Sequence, residues 1–315
     1  MSQEQRPKGD GKSPADDPAG SQHSVRAVFH PPPAQFAGCF TSFYQLKLDI
    51  SDGGVVEDYL QPEWANLRFF GGSCPTAQIG RRRLSDARFV VTGPSSLACK
   101  FSVGSASMWG IGLLPLGWAR LIESDAFSYR DTLFDGTRDR IFAKFDSLSS
   151  ILCDPRAPCE EQLVAINDMM ETLMRPSRDE DKIVRVHDAL VNGDHFAVAA
   201  LADACAMSVR TLERVCRRYF GFTPKRLMRR QRFTRSLISF MLHRGDALWT
   251  EAMDEEYHDQ AQFTREFTEF MTMTPSKYAG LDHPILTSFI EARARVWGSA
   301  AQALDQPRQN DTDEQ

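Results

Sequence analysis

Residues 201–233, LADACAMSVRTLERVCRRYFGFTPKRLMRRQRF, and residues 257–278, YHDQAQFTREFTEFMTMTPSKY, decide the fold of this 315-residue chain. In the first stretch Leu201 and Ala204, with Ala199 and Ala200 before them, put small apolar residues on one helical face. Ala206 and Met207 make a short connection, and Ser208 suits an N-cap because its hydroxyl accepts from the free amides of the next turn. Leu212, Val215, Cys216 and Tyr219 then recur at helical spacing, and Gly221 suits the left-handed residue that closes a helix. Thr223-Pro224 opens a long basic helix, roughly 224–243, with Thr at the cap and Pro at the first helical position. The second stretch repeats this grammar. A helix near 248–256 precedes a helix over about 259–270 carrying Phe263, Phe267 and Phe270, and Thr274-Pro275 repeats the cap. Laying 208–227 on 259–278 pairs Leu212 with Phe263, Arg214 with Arg265, Cys216 with Phe267 and Pro224 with Pro275. A single repeat of this kind is a duplicated module, since a solenoid needs at least about three.

Charge singles out the first unit. Over 208–235 ten basic residues (Arg210, Arg214, Arg217, Arg218, Lys225, Arg226, Arg229, Arg230, Arg232 and Arg235) oppose only Glu213, a net +9 in a chain whose net charge is −5. Neutralising the phosphates of double-stranded DNA is the most economical reason, because each contact releases condensed counterions. RNA readers mostly offer aromatic platforms on sheets, and none is visible in this block.

These residues carry a resemblance. The two stretches resemble the two halves of the DNA-binding domain of AraC/XylS-type transcription regulators, over roughly 183–281. Four positions depart from the family pattern. Cys216 stands where a Phe is usual and Leu227 where an aromatic is usual, while Glu256 and Thr272 replace helix-ending glycines. Non-glycine residues at the last two positions cost on the order of 1 kcal/mol each if the left-handed geometry is kept.

The resemblance implies two helix-turn-helix units, each placing one helix in a major groove, in successive turns of the duplex. Base-reading candidates are the exposed early residues of each helix: Val209, Arg210, Glu213 and Arg214 in the first, and Gln260, Gln262 and Arg265 in the second. Arg suits guanine, Glu accepts from cytosine and Gln suits adenine. Ser208, Arg217, Arg218, Arg229, Arg230 and Arg232 are the phosphate candidates; for these arginines packing salt bridges remain the open alternative. Over 244–282 the second unit holds three basic residues against nine acidic, a net −6, so it is expected to add less affinity or to show an acidic surface to a partner such as RNA polymerase.

Residues 25–150 have another texture. Apolar runs at Phe43–Ile50, Leu67–Phe70, Arg88–Thr92, Cys99–Val103 and Ser107–Leu113 are broken by Asp52-Gly53-Gly54, Gly71-Gly72, Gly93-Pro94 and Pro115. This predicts a mostly β, barrel-like domain. VVTGPSS and GIGLLPLGWARLIESDAFSYRDTLFDG are similar to the sensor domains of some AraC-type regulators, which implies a small-molecule effector. Trp118 stands where a small residue is usual, and Trp64, Phe69, Phe70, Phe101 and Trp109 are candidates for core or pocket lining. Arg81-Arg82-Arg83 reads as a solvated run before it reads as an anion site. Residues 160–175 form an amphipathic helix with Leu163, Ile166, Met170 and Leu173 along one seam, which serves either a homodimer or a cover over the chain's own barrel.

The predicted fold class is α+β. The predicted domains are a disordered arm at 1–24, a β sensor domain at 25–150 and the amphipathic helix with its linker at 151–181. An all-α tandem helix-turn-helix domain follows at 182–283, then a C-terminal helix and disordered tail at 284–315. No apolar run approaches the roughly 18 residues of a spanning helix, and the polar N-terminus has no signal core, so the chain reads as cytoplasmic with no membrane partner. Seven scattered cysteines without a Cys-x-x-Cys pair read as reduced thiols. His23 and His30 cannot assemble a catalytic metal site, and no phosphate-loop, dinucleotide or Gly-x-Ser-x-Gly motif occurs, so neither enzyme activity nor a metal or other cofactor is expected. The rival reading is an interaction or sensor protein whose tandem module is degenerate; cysteine-based methyl transfer is a distant third.

Overall fold

The computed structural model describes residues 23–193, 197–242, 252–255 and 257–297. Ten strands come first: β1 (His23–His30), β2 (Phe40–Ile50), β3 (Val56–Leu60), β4 (Ala65–Gly72), β5 (Thr76–Ile79), β6 (Arg82–Leu84), β7 (Phe89–Thr92), β8 (Cys99–Val103), β9 (Ala106–Leu113) and, after helix α1 (Pro115–Leu121), β10 (Leu133–Asp135). They pair in two sheets, β1-β2-β9-β4-β7-β10 and β3-β8-β5-β6. The turn signals read in the sequence separate these strands. Alternation in β2 explains its orientation: Leu46 and Leu48 face the other sheet while Lys47 and Asp49 face water. The long β4 is instead buried nearly throughout, because helix α2 (Ser149–Leu152) covers its outer side. The N-terminal region is mostly β, as the apolar runs predict, and helices α3 (Cys159–Leu173) to α10 (Pro284–Trp297) make up the C-terminal region.

The interior is not divided along the domain boundary. One buried cluster joins Phe43, Trp64 and Trp109 of the sheets to Leu212, Val215, Phe220 and Leu227 of the first helical unit. A second joins Leu60, Ile79 and Cys99 to Phe233, Phe263 and Phe267 of the second unit. A third lies between the sheets, where Tyr44, Leu46 and Met108 meet Ile285 of α10.

Helix α10 folds back over the barrel. Its first amides, Ile285 N and Leu286 N, donate to Asp58 Oδ2 on β3 at 2.9 and 2.8 Å. A strand carboxylate thus serves as the helix's N-terminal anion. His283, fully buried, joins Asp58 Oδ1 at 2.9 Å to the Tyr278 carbonyl at 3.0 Å, and Phe289 packs edge-on against Phe29 and Tyr44. Arg293 donates to Ser42 Oγ at 3.1 Å.

Several expectations are corrected. His23 and Ser24, assigned to the arm, begin β1; residues 1–22 and 298–315 lie outside the described residues. So do residues 243–251 and Glu256, and with them most of the helix expected near 248–256. The dimer seam of α3 is intramolecular. Ile166 and Met170 have no exposed surface and belong to the core shared with the sheets, with Leu163 and Leu173 packed against it. An apolar face already buried in its own chain is not free to pair with a second copy. Trp118 is a core residue of α1, its Nε1 donating to the Ser124 carbonyl at 2.8 Å, and it does not fill the barrel.

Thr272 closes its helix at φ +59°, the left-handed region, as feared from the missing glycine. At φ +83° Gly221 fills the equivalent place without strain, with room for a Cβ only 3.1 Å from Pro94. Thr272→Gly is therefore expected to raise unfolding free energy by about 1 kcal/mol, and Gly221→Ala to lower it by more than about 1 kcal/mol. Urea denaturation measures both; a Thr272→Gly protein no more stable than the parent would contradict the strain.

Candidate nucleic-acid interface

In the first unit, helix α5 (Val198–Ala204) leads through a turn with Ala206 at φ +50° to α6 (Val209–Val215), whose last residues run on as a wider π turn over Cys216–Phe220. Ser208 Oγ accepts from Thr211 N at 3.2 Å, closing the N-terminus as its place before the apolar run predicts. Leu212, Val215, Cys216 and Phe220 face the core and have no exposed surface. Ser208, Val209, Arg210, Glu213, Arg214, Arg217 and Arg218 are exposed. The four base-reading candidates of this helix therefore share one open face.

Not all of that face is idle. Arg214 Nη1 lies 3.3 Å from Asp179 Oδ2, a carboxylate that is only 3% exposed and also accepts from Tyr219 Oη at 3.0 Å and Lys182 Nζ at 2.7 Å. Burial raises the Asp179 pKa, but hydrogen bonds from Lys182, Arg214 and Tyr219 outweigh it and hold the carboxyl well below the usual carboxylate range. The value is lower folded than unfolded, so this stabilisation is complete above about pH 4 and fades as pH falls toward the native value. Arg217 lies over the Phe127 ring at 5.0 Å, and Arg218 reaches Asp125 at 3.7 Å. Both lean on one loop of the β domain.

The second unit presents α8 (Gln260–Met271). Asp259 Oδ1 accepts from Gln262 N at 2.6 Å, and Gln262 Oε1 accepts from His258 N at 3.1 Å. The Gln262 side chain thus reaches back past the N-cap to the amide before it, in the manner of a capping box, and this occupies the acceptor that Gln262 was expected to offer to adenine. Gln260 and Arg265 are exposed. Phe263, Phe267 and Phe270 are buried, and the short α9 (Pro275–Ala279) is capped by Thr274, whose Oγ1 accepts from Lys277 N at 3.3 Å.

Between the units runs α7 (Pro224–Leu242), and here three phosphate candidates are corrected. Arg230 has no exposed surface. Its guanidinium lies 3.7 Å from the centre of the Trp64 ring and Nη1 donates to the Ser95 carbonyl at 3.1 Å. Burial pushes its pKa down to about 9, against the opposing pull of Asp131, so it keeps its charge at neutral pH. Arg229 pairs with Glu266 and Glu269, and Arg232 with Glu266 at 2.6 Å. Arg226 also holds Glu269, and Arg235 holds Asp254. Four arginines of the first unit thus neutralise three carboxylates counted in the second. The contrast between +9 and −6 is thereby roughly halved. Arg210, Arg217 and Lys225 are the exposed cations of 208–235 with no ion pair among the described residues.

Sequence reasoning missed the receptors: Asp179, Trp64 and the Asp58–His283 link. One signal was available. Glu266 and Glu269 stand three apart on one helix face, matching Arg226 and Arg229 on another. Nothing in the sequence marked Trp64 as the seat of an arginine 166 positions later.

Replacing Arg217 and Arg218 together by Ala should flatten the slope of log affinity for duplex DNA against log salt by roughly one to two units. Arg230→Leu should leave that slope unchanged while altering thermal stability. Fluorescence-polarisation titrations at several salt concentrations check this, and a flattened slope for Arg230→Leu would contradict its buried role.

Comparison with known proteins agrees with this geometry. Residues 201–280 match the family model described as a helix-turn-helix domain. No curated protein matches the sequence. Among solved structures the chain is similar to ToxT from Vibrio cholerae O395, at 10% identity over 82% of this chain and 97% of that one, with a TM-score of 0.40. It is similar to the same protein bound to (E)-4-(8-methylnaphthalen-1-yl)but-3-enoic acid, at 12% identity over 82% and 98%, with a TM-score of 0.41. The AraC-like transcriptional activator CuxR follows at 12% identity over 61% and 75%, with a TM-score of 0.27. No helix among the described residues is long and apolar enough to cross a membrane. Residues 201–280 therefore form a helix-turn-helix domain.

Proposed function

We propose that the protein reads double-stranded DNA in the cytoplasm with α6 and α8, each in one of two successive major grooves. The carrying observation is that both helices are side-chain capped, bury one apolar face and leave the early outer face open. Arg210 and Glu213 read bases in the first groove, with Val209 beside them for thymine methyl contact. Gln260 and Arg265 do so in the second. Arg214 reads only when it leaves Asp179. Ser208, Arg217 and Arg218 hold phosphates. Gln262 acts through its capping box, orienting the helix end. Glu255 and Asp282, exposed and outside the arginine network, are the acidic surface offered to a partner such as RNA polymerase.

An effector role belongs to the barrel interior. Its cavity of about 40 Å³ is lined by Leu46, Phe70, Phe101 and Met108, with Arg68 and Thr92 as polar groups. Ile285 and Phe289 of α10 close it. This volume holds about one water. An organic effector entering there displaces α10, and α10 is tied through His283 to the second unit. The barrel's occupancy and the seating of α8 are thereby linked.

Arg210→Ala should cost roughly 1–3 kcal/mol of specific binding and relax preference at one or two base pairs. Selection of bound fragments from genomic DNA, followed by gel shifts with the recovered site, measures it. Equal weakening on every sequence would make Arg210 a phosphate contact. Failure to recover any preferred fragment would favour the degenerate-module reading, to which the strained Thr272 and the occupied Gln262 lend support.

A further inference from the structure

The open face of α6 continues past the helix. Arg210, Glu213, Arg214 and Arg217 recur at steps of three and four, so one exposed stripe runs from the Ser208 cap into the π turn. Beyond Arg217 the stripe meets the β domain. The loop between α1 and β10 carries a short helical turn, Ala126–Tyr129, and the Arg217 guanidinium lies 5.0 Å from the centre of the Phe127 ring. From the same loop Arg130 lays its guanidinium over that ring at 3.7 Å, with Nη1 donating to the Phe127 carbonyl at 2.6 Å. Two arginines, one from the helical unit and one from the β domain, thus share one aromatic platform.

The platform is fixed on both sides. A Cβ on Gly221, which closes the π turn, would lie 3.3 Å from the Ala126 carbonyl, so the loop packs directly on the first unit. On the β side, Trp118 Nε1 holds the Ser124 carbonyl at 2.8 Å and Thr132 Oγ1 donates to the Tyr129 carbonyl at 2.6 Å. Asp131 N donates to the Pro94 carbonyl at 2.9 Å. A group held in place before binding loses less entropy when it makes a contact.

The charge around this platform is mostly positive. Arg130 and Arg217 are exposed and have no ion-pair partner among the described residues. Three nearby carboxylates are engaged elsewhere. Asp131 accepts from Ser96 N at 2.6 Å and Ser96 Oγ at 3.0 Å, and Asp139 accepts from Tyr129 Oη at 3.2 Å. Glu123 acts on Lys144, whose pKa burial lowers and Glu123 raises in opposition. Asp125 is the exception: it is exposed and lies 3.7 Å from Arg218, a pairing that solvent weakens. An anion is therefore favoured at the Arg130–Arg217 end of the loop and not at the Asp125 end.

We infer that Arg130 binds a backbone phosphate of the duplex that α6 reads, beside the phosphate held by Arg217. The α1–β10 loop then becomes a third DNA-binding element, supplied by the β domain; this rests on α6 being a DNA-reading helix. A duplex laid along the stripe reaches the loop where it leaves Arg217. With Nη1 on the Phe127 carbonyl, Nε and Nη2 of Arg130 remain as a parallel pair of donors, the geometry that suits phosphate oxygens. Base edges lie in a groove that α6 already fills, so this contact adds affinity without sequence preference.

Fluorescence-polarisation titration of the full-length protein tests this at several salt concentrations, on a duplex selected from genomic fragments and on a scrambled duplex of equal length. Arg130→Gln keeps a donor for the Phe127 carbonyl and removes the charge, whereas Arg130→Lys keeps the charge. Arg130→Gln should flatten the slope of log affinity against log salt by about one unit on both duplexes, and Arg130→Lys should keep the parent slope. Arg130→Gln combined with Arg217→Ala should flatten it by about two units. A role confined to bracing the loop would lower the melting temperature and leave the slope alone, so a parent slope in Arg130→Gln overturns the inference. A loss seen only on the selected duplex also overturns it, because the contact would then be to bases. If Arg217→Ala flattens the slope and Arg130→Gln does not, this inference falls and DNA reading by α6 stands. A parent protein that binds neither duplex removes both.

Discussion

A guanidinium buried against an indole organises this molecule. Arg230 sits in the middle of α7 with its charge over the Trp64 ring and one of its nitrogens on backbone carbonyls of the β domain. Desolvating such a charge costs several kcal/mol, and a desolvated cation–π contact returns about 2 or more. Its Nε and Nη2 find no acceptor among the described residues, so the site is specific rather than strong. What it secures is orientation. Helix α7 joins the two helix-turn-helix units, and a helix pinned at its centre to a rigid sheet cannot roll. The mutual placement of α6 and α8 is set by the β domain as much as by the module itself.

The arginine network follows from the same constraint. With one face of α7 held against Trp64, its neighbouring face meets α8, where Glu266 and Glu269 receive Arg226, Arg229 and Arg232. These charges hold helix to helix. Of the exposed cations outside this network, Arg217 and Arg218 lie on the π turn after α6, close to the loop carrying Asp125 and Phe127, and Lys225 lies in the first turn of α7. Any movement of that loop reaches Arg217 and Arg218 directly. Movement of α10 reaches the second unit through Asp58, His283 and the Tyr278 carbonyl. Two separate routes thus run from the β domain, one to each helical unit.

Local grammar was legible in the sequence. Ser208, Gly221, Thr223-Pro224 and Thr274-Pro275 each act through a backbone position within a few residues, and the structure gives each its expected place. The apolar runs of the β domain became strands for the same local reason. The fate of the basic residues was not legible. Whether an arginine meets a phosphate, a carboxylate or an indole depends on what tertiary packing brings to it. Arg210 and Arg230 look alike in a one-dimensional reading, yet one is open to solvent and the other is sealed against Trp64. The seam of α3 was ambiguous for a related reason: a 3-4 apolar spacing states that a face is buried, not by which chain.

If the sheets, both helix-turn-helix units and α10 share their cores, they should unfold together. Differential scanning calorimetry of the full-length protein tests this most directly. The account predicts one transition whose calorimetric and van't Hoff enthalpies agree, and a Trp64→Ala protein that melts at lower temperature throughout. Two resolved transitions in the parent protein, with only one of them shifted by Trp64→Ala, would show two independently folded domains and contradict it.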